Sequence, residues 1–219
     1  MPNLKPVFSI EKAHKAQLQL SKFIVFEDRL PKNIHFVGGV DTAYFKDVAI
    51  SASVVLEFNN LNLVEAQVAT RKVAFPYIPT LLSFRELPST LACIKKLKIM
   101  PDIFLVDGQG IAHPYRCGFA SHLGVVLGKP TIGVAKSRLT GDIEPFPNRD
   151  FTYLKDNNEV VGAALRTPTG KTLYVSVGHM ISLETAIKIV RHCTRGSIPE
   201  PIRLAHKRAT TERRKISKP

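Results

Sequence analysis

Two short apolar runs end in aspartate, and a third ends in lysine. Ile34-His-Phe-Val-Gly-Gly-Val40 leads into Asp41, Ile103-Phe-Leu-Val106 into Asp107, and Thr131-Ile-Gly-Val-Ala135 into Lys136. Largely β-branched and apolar residues over four to seven positions describe strands covered on both faces, the kind found in α/β sheets. A carboxylate at the end of such a strand gains nothing from apolar neighbours. A hydrogen-bond network or a bound cation has to stabilise it. The acids therefore constrain both fold and chemistry.

The rest of the pattern fits a mixed sheet. Apolar residues at helical spacing over 8–30 predict an N-terminal helix that breaks at Pro31. His35–Tyr44, Val48–Phe58 and Leu63–Phe75 alternate like strands and are separated by short turns, which predicts an antiparallel meander. Pro76 and Pro79 then end the sheet. Leu81–Lys98 reads as a helix that Pro88 must start or kink. A helix at His113–Leu127, strands at Val160–Arg166 and Thr172–Val177, and a helix at Ser182–Cys193 complete the expectation. The fold class is α/β: three antiparallel strands, then parallel strands, with helices on both faces. One domain over 1–206 is expected, with 207–219 as a flexible basic tail.

The 219 residues carry 31 Lys and Arg against 18 Asp and Glu, a net charge of +13. Such an excess favours a polyanionic partner. No apolar run reaches membrane-span length, and the first residues lack a signal-peptide core, so a cytoplasmic protein is expected; with no coiled-coil stripe, a monomer is the default. Cys93, Cys117 and Cys193 fit neither a disulfide framework nor a zinc pattern and read as free thiols.

Asp41, Glu86 and Asp107 are the candidate catalytic acids. Carboxylate oxygens suit Mg²⁺, with Mn²⁺ as a substitute, and that ion suits phosphodiester hydrolysis. Lys136 lies at the same edge and can bind a phosphate oxygen. His113 and His206 are candidates for proton transfer or phosphate contact. Tyr77, held between Pro76 and Pro79 with Ile78, has the form of an aromatic wedge that enters a base stack.

Val40-Asp-Thr-Ala-Tyr44, Pro76-Tyr-Ile-Pro79, Phe84-Arg-Glu86, Val106-Asp-Gly-Gln-Gly-Ile-Ala-His-Pro114 and Thr131-Ile-Gly-Val-Ala-Lys-Ser-Arg138 together resemble the endonuclease V family. The resemblance runs over roughly residues 10–206. It implies a ribonuclease H-like fold and Mg²⁺-dependent cleavage of DNA at the second phosphodiester bond 3′ to deoxyinosine, leaving 3′-hydroxyl and 5′-phosphate ends. It implies Asp41, Glu86 and Asp107 as metal ligands, with Lys136 and His206 assisting. It places Tyr77, Pro76, Ile78, Pro79, Arg85 and His113 on the DNA, and Leu82, Gly108, Gly118 and Gly133 around a flipped hypoxanthine. Thr80, Gln109 and Tyr115 depart from the family pattern, where Gly, His and Arg are common. An inosine-specific endoribonuclease and a non-catalytic binder of distorted nucleic acid are the alternatives.

Overall fold

The computed structural model describes residues 9–146 and 150–217. Phe8 of the expected first helix, and Lys218 and Pro219 of the expected tail, lie outside them. The elements in chain order are α1 (Ile10–Ser21), β1 (Phe36–Phe45), β2 (Val48–Glu57), β3 (Leu63–Lys72), α2 (Leu82–Ile94), β4 (Ile103–Asp107), α3 (Phe119–Leu127), β5 (Thr131–Ala135), β6 (Asp142–Ile143), β7 (Phe151–Asp156), β8 (Glu159–Arg166), β9 (Thr172–His179), α4 (Leu183–Cys193) and α5 (Glu200–Ile216).

Among the described residues nine strands form one sheet, ordered β3-β2-β1-β4-β5-β9-β8-β7-β6. β1, β2 and β3 are the antiparallel meander; β4 lies parallel to β1, and β5 parallel to β4. β9 returns antiparallel to β5. The central strands alternate sides. Val37, Ile103, Leu105, Ile132 and Val134 join the core under α4 and α5, while Val40, Phe104 and Val106 join Phe119 and Leu123 of α3 on the other face. Both faces are covered, which is why these strands read as continuous apolar runs.

α5 lies directly on β1. A Cβ at Gly39 would stand 2.2 Å from the Pro201 carbonyl oxygen, so only glycine allows the helix this close. Pro201, Ile202, Ala205 and Ala209 form the buried stripe of α5.

Several expectations need correction. The first helix stops at Ser21 rather than near residue 30. Beyond it the backbone finds partners elsewhere: Met180 N–H donates to Val25 O, and Arg29 N–H to Met180 O. Asp28 accepts from Ser182 N–H at the start of α4, which removes any need for helical bonds there. α3 starts at Phe119, not His113, because residues 113–117 form an irregular turn with Arg116 at φ 51°. Pro88 sits inside α2 rather than at its start. The sequence reading lacks the hairpin β7–β8, although Asn157 and Asn158, at φ 50° and 66°, are turn residues of the sort that tolerate left-handed backbone. The boundary expected at 206 falls within α5, which stays helical to Ile216. No described helix is long and apolar enough to cross a membrane.

Candidate active site

Val40 pairs with Val106 in the parallel β1–β4 ladder, so the next residues, Asp41 and Asp107, emerge side by side. Asp107 in turn pairs with Val134 on β5, which places Lys136 just beyond the same edge. Asp41 is not at the end of its strand: β1 continues to Phe45, and only its pairing with β4 stops at Val40. Glu86 arrives from α2 and is 7% exposed.

Each acid is met by a different donor. His206 Nδ1 lies 2.8 Å from Asp41 Oδ2. Lys136 Nζ donates to Asp107 Oδ2 at 2.6 Å. Tyr44 Oη donates to Glu86 Oε1 at 3.0 Å. Burial pushes the Glu86 carboxyl up to about 8, with the charges of Asp41 and Asp107 adding to the effect against the Tyr44 hydrogen bond. Asp41 is raised by burial and then by Asp107, against the pull of His206 and Lys136. The three acids thus repel one another across a shared space.

No group of three or more His, Cys, Asp and Glu among the described residues stands ready-made around a metal ion. The carboxylates are turned toward their own donors instead. The donor chemistry nevertheless fits a divalent cation: hard oxygens, close enough to perturb each other's protonation, with a repulsion that a cation would relieve.

A cavity of about 360 Å³ opens beside Asp107 and Lys136. Leu82, Gly108 and Gly118, three of the four residues expected around the base, line it together with Tyr77 and Pro79 of the expected wedge; Ser83, Phe119 and Leu139 contribute further wall. Gly133 does not line it. A Cβ there would stand 2.3 Å from Gly110 N, so this glycine makes room for the chain's own loop. Gly118 is tight for the same reason, with Gln109 O 2.4 Å from a built Cβ. Tyr77 is 68% exposed at the lip. Ile78 is half-buried, and its carbonyl accepts from Leu81 N–H at 3.0 Å, which closes the loop onto the start of α2. Pro76 and Arg85 border a neighbouring hollow instead. Arg85 Nη1 donates to Phe75 O and its guanidinium covers the Tyr44 ring at 4.5 Å, so it braces the loop and the Glu86 partner together.

His113 borders the cavity, but both its nitrogens are committed. Nε2 donates to Thr80 O at 2.9 Å and Nδ1 accepts from Tyr115 N–H at 3.1 Å. Burial pushes its pKa down to about 4, so the ring is neutral. It lines the wall with both ring nitrogens bound to the chain itself. Sequence reasoning missed Tyr44, His14 and Gln17. The one signal for Gln17 was its place one helical turn after Ala13, on the buried stripe of α1.

The comparisons with known proteins decide the family. The endonuclease V family model matches residues 18–207. The chain belongs to the endonuclease V family. Endonuclease V of Thermofilum pendens is 45% identical over 206 residues, covering 93% of this chain and 88% of the relative. That of Dictyoglomus thermophilum is 48% identical over 200 residues, covering 90% and 87%. Among solved structures, endonuclease V of Streptomyces avermitilis superposes with a TM-score of 0.90 at 38% identity, covering 100% of this chain and 98% of that one. Ciona intestinalis endonuclease V superposes at 0.86 with 34% identity, covering 95% and 98%; its structure contains a 23mer DNA with an inosine followed by a ribo-adenosine. The ribonuclease H-like sheet order agrees with these relatives. As a member of that family the chain is a DNA-repair nuclease acting on deoxyinosine, and the family generally uses a divalent metal ion.

Proposed function

We propose that Asp41, Glu86 and Asp107 hold the divalent ion at which the second phosphodiester bond 3′ to deoxyinosine is hydrolysed, leaving 3′-hydroxyl and 5′-phosphate ends. The observation carrying this is the mutual repulsion of three carboxylates beside a basic, base-sized cavity. When bound, magnesium neutralises charge on the phosphate and acidifies water. Manganese accepts the same oxygen donors.

The chain's own residues supply the rest. Lys136 Nζ, already 2.6 Å from Asp107, donates to a phosphate oxygen and fixes that carboxylate. Since a carboxylate only accepts, His206 carries its proton on Nδ1 toward Asp41, and its Nε2 lone pair is free to take a proton in the reaction. Tyr44 and Arg85 hold Glu86 and the wedge loop in one frame. Tyr77 fills the gap left in the duplex when hypoxanthine turns into the cavity beside Leu82, Gly108 and Gly118. The enzyme works in the cytoplasm, with Cys93, Cys117 and Cys193 buried as free thiols.

Inosine in RNA is a second substrate. The ribo-adenosine following inosine in the Ciona complex favours it, since that nucleotide carries a 2′-hydroxyl. An end-labelled inosine duplex, incubated with Mg²⁺ or with EDTA, tests the main proposal. Nicking is expected with Mg²⁺ alone, and Asp41→Asn and Asp107→Asn should bind the duplex without cutting it. Normal cleavage by either variant would overturn the ion site, and binding without cutting by the wild type would make the protein a binder.

A further inference from the structure

The wall of the base cavity contains a residue in an unfavourable conformation. Thr80 has φ 73°, and a β-branched side chain is a genuine outlier in that region. Such a residue is strained and persists only where its surroundings hold it. Three side chains do so. Gln17 Nε2 donates to Thr80 O at 2.8 Å, His113 Nε2 donates to the same oxygen at 2.9 Å, and His14 Nε2 lies 3.1 Å from Thr80 Oγ1.

Gln17 does more than hold Thr80. Its Nε2 also donates to Cys117 O at 3.0 Å. Thr80 ends the wedge loop Pro76–Pro79 on one side of the cavity, and Gly118, next to Cys117, forms another wall. One fully buried amide on α1 therefore ties two walls of the cavity together. Its Oε1 has no hydrogen-bond partner among the described residues, so the amide bonds through its two donor hydrogens alone. His14 reinforces the same anchor by stacking on Tyr115, with ring centroids 4.0 Å apart and 16° between planes.

We propose that Gln17 is a positioning residue for base selection: it holds Thr80 in its left-handed conformation and thereby sets the gape of the cavity, although it lines no part of it. The energetic logic is that the wedge loop must not relax. If Thr80 turned back to an ordinary φ, its carbonyl would leave Gln17 and His113, and Tyr77 and Pro79 would shift with it. A wider cavity discriminates less between hypoxanthine and the larger exocyclic group of adenine.

The proposal rests on the cavity being the base pocket, and the test separates the two. The measured quantity is the ratio of kcat/KM on duplexes carrying inosine or adenine at one position. Gln17→Met keeps the length, removes both donors and loses nothing at Oε1. It should lower the ratio about tenfold, whereas a general loss of stability would lower both rates together. Thr80→Gly accepts φ 73° without strain, so in that background Gln17→Met should change the ratio less than about threefold. Equal penalties in both backgrounds, or a ratio unmoved by Gln17→Met, overturn the proposal. Should Gln17→Met not fold, Gln17→Asn withdraws the amide by one methylene and is read the same way. Leu82→Trp fills the cavity in the wild-type background. If inosine nicking survives it, the pocket reading falls and the proposal with it; if nicking is blocked, the Gln17 result stands on its own.

Discussion

His206 and Asp41 lie 165 positions apart in the chain and 2.8 Å apart in the fold. The contact exists because Gly39 lets α5 settle on β1, two residues before Asp41. His206 is half-exposed and Asp41 nearly buried, with side chains 57% and 12% accessible. The histidine therefore covers the acid on its solvent side. His206→Ala should reduce single-turnover nicking about 100-fold, as expected for loss of a proton-transfer group, while inosine binding changes little. A loss confined to binding would refute the assignment.

The metal-free protein should show a stability maximum near neutral pH. Burial pushes His113 and His122 down to about 4 from 6.5, so they stay neutral in the fold while the unfolded chain takes up their protons. Their contribution is full above 6.5 and is lost as pH falls toward 4, roughly 3 kcal/mol each at most. Glu86 has the opposite sign. Its pKa rises from 4.5 to about 8, so stability is lost as pH climbs through that window. Thermal melts in EDTA should peak near pH 6.5, the ordinary histidine pKa. Magnesium should remove the descending limb by favouring ionised Glu86, and Glu86→Gln should flatten it without metal. A descending limb that persists in Glu86→Gln would show that Glu86 does not cause it.

Tyr77 is exposed and ends in solvent, so Tyr77→Ala should alter the stability little, within about 0.5 kcal/mol. Discrimination of inosine from undamaged duplex should fall severalfold. Unchanged discrimination would remove the wedge from the mechanism.

The outer surface of α5 presents Lys207, Arg208, Arg213 and Arg214, and none of them forms an ion pair among the described residues. Arg213 and Arg214 lie about two helical turns beyond His206, roughly 10–12 Å along the axis. Changing Lys207 and Arg214 to Ser should lower the slope of log affinity against log salt by roughly 0.9 for each phosphate left without its cation. An unchanged slope would mean the helix does not follow the nucleic-acid backbone.

Much of this was legible in the chain. The runs ending at Asp107 and Ala135 are the observed β4 and β5, since a strand covered on both faces leaves a continuous apolar signature. Asp41, Asp107 and Lys136 stood out because charge beside such runs is costly, whereas Glu86 lies in the helix that follows the meander. β7 was not legible: its alternation is short, and the Asn157-Asn158 turn that joins it to β8 contains no glycine to mark it. Gly133 reads as a base-pocket residue but serves the loop at 108–110, and Gly118 serves both, because close approach by backbone leaves the same mark in sequence whoever approaches.

Local pattern alone determined that this chain forms a mixed sheet with acids emerging from it, because strand periodicity and the cost of buried charge are properties of short segments. The partners of those acids were decided only by the fold. Tyr44 beside Glu86, His206 beside Asp41, and Gln17 under Thr80 depend on how helices dock across the sheet. Side chains that carry no unusual signature in sequence acquire roles there because packing brings donors from distant elements onto buried or half-buried acceptors.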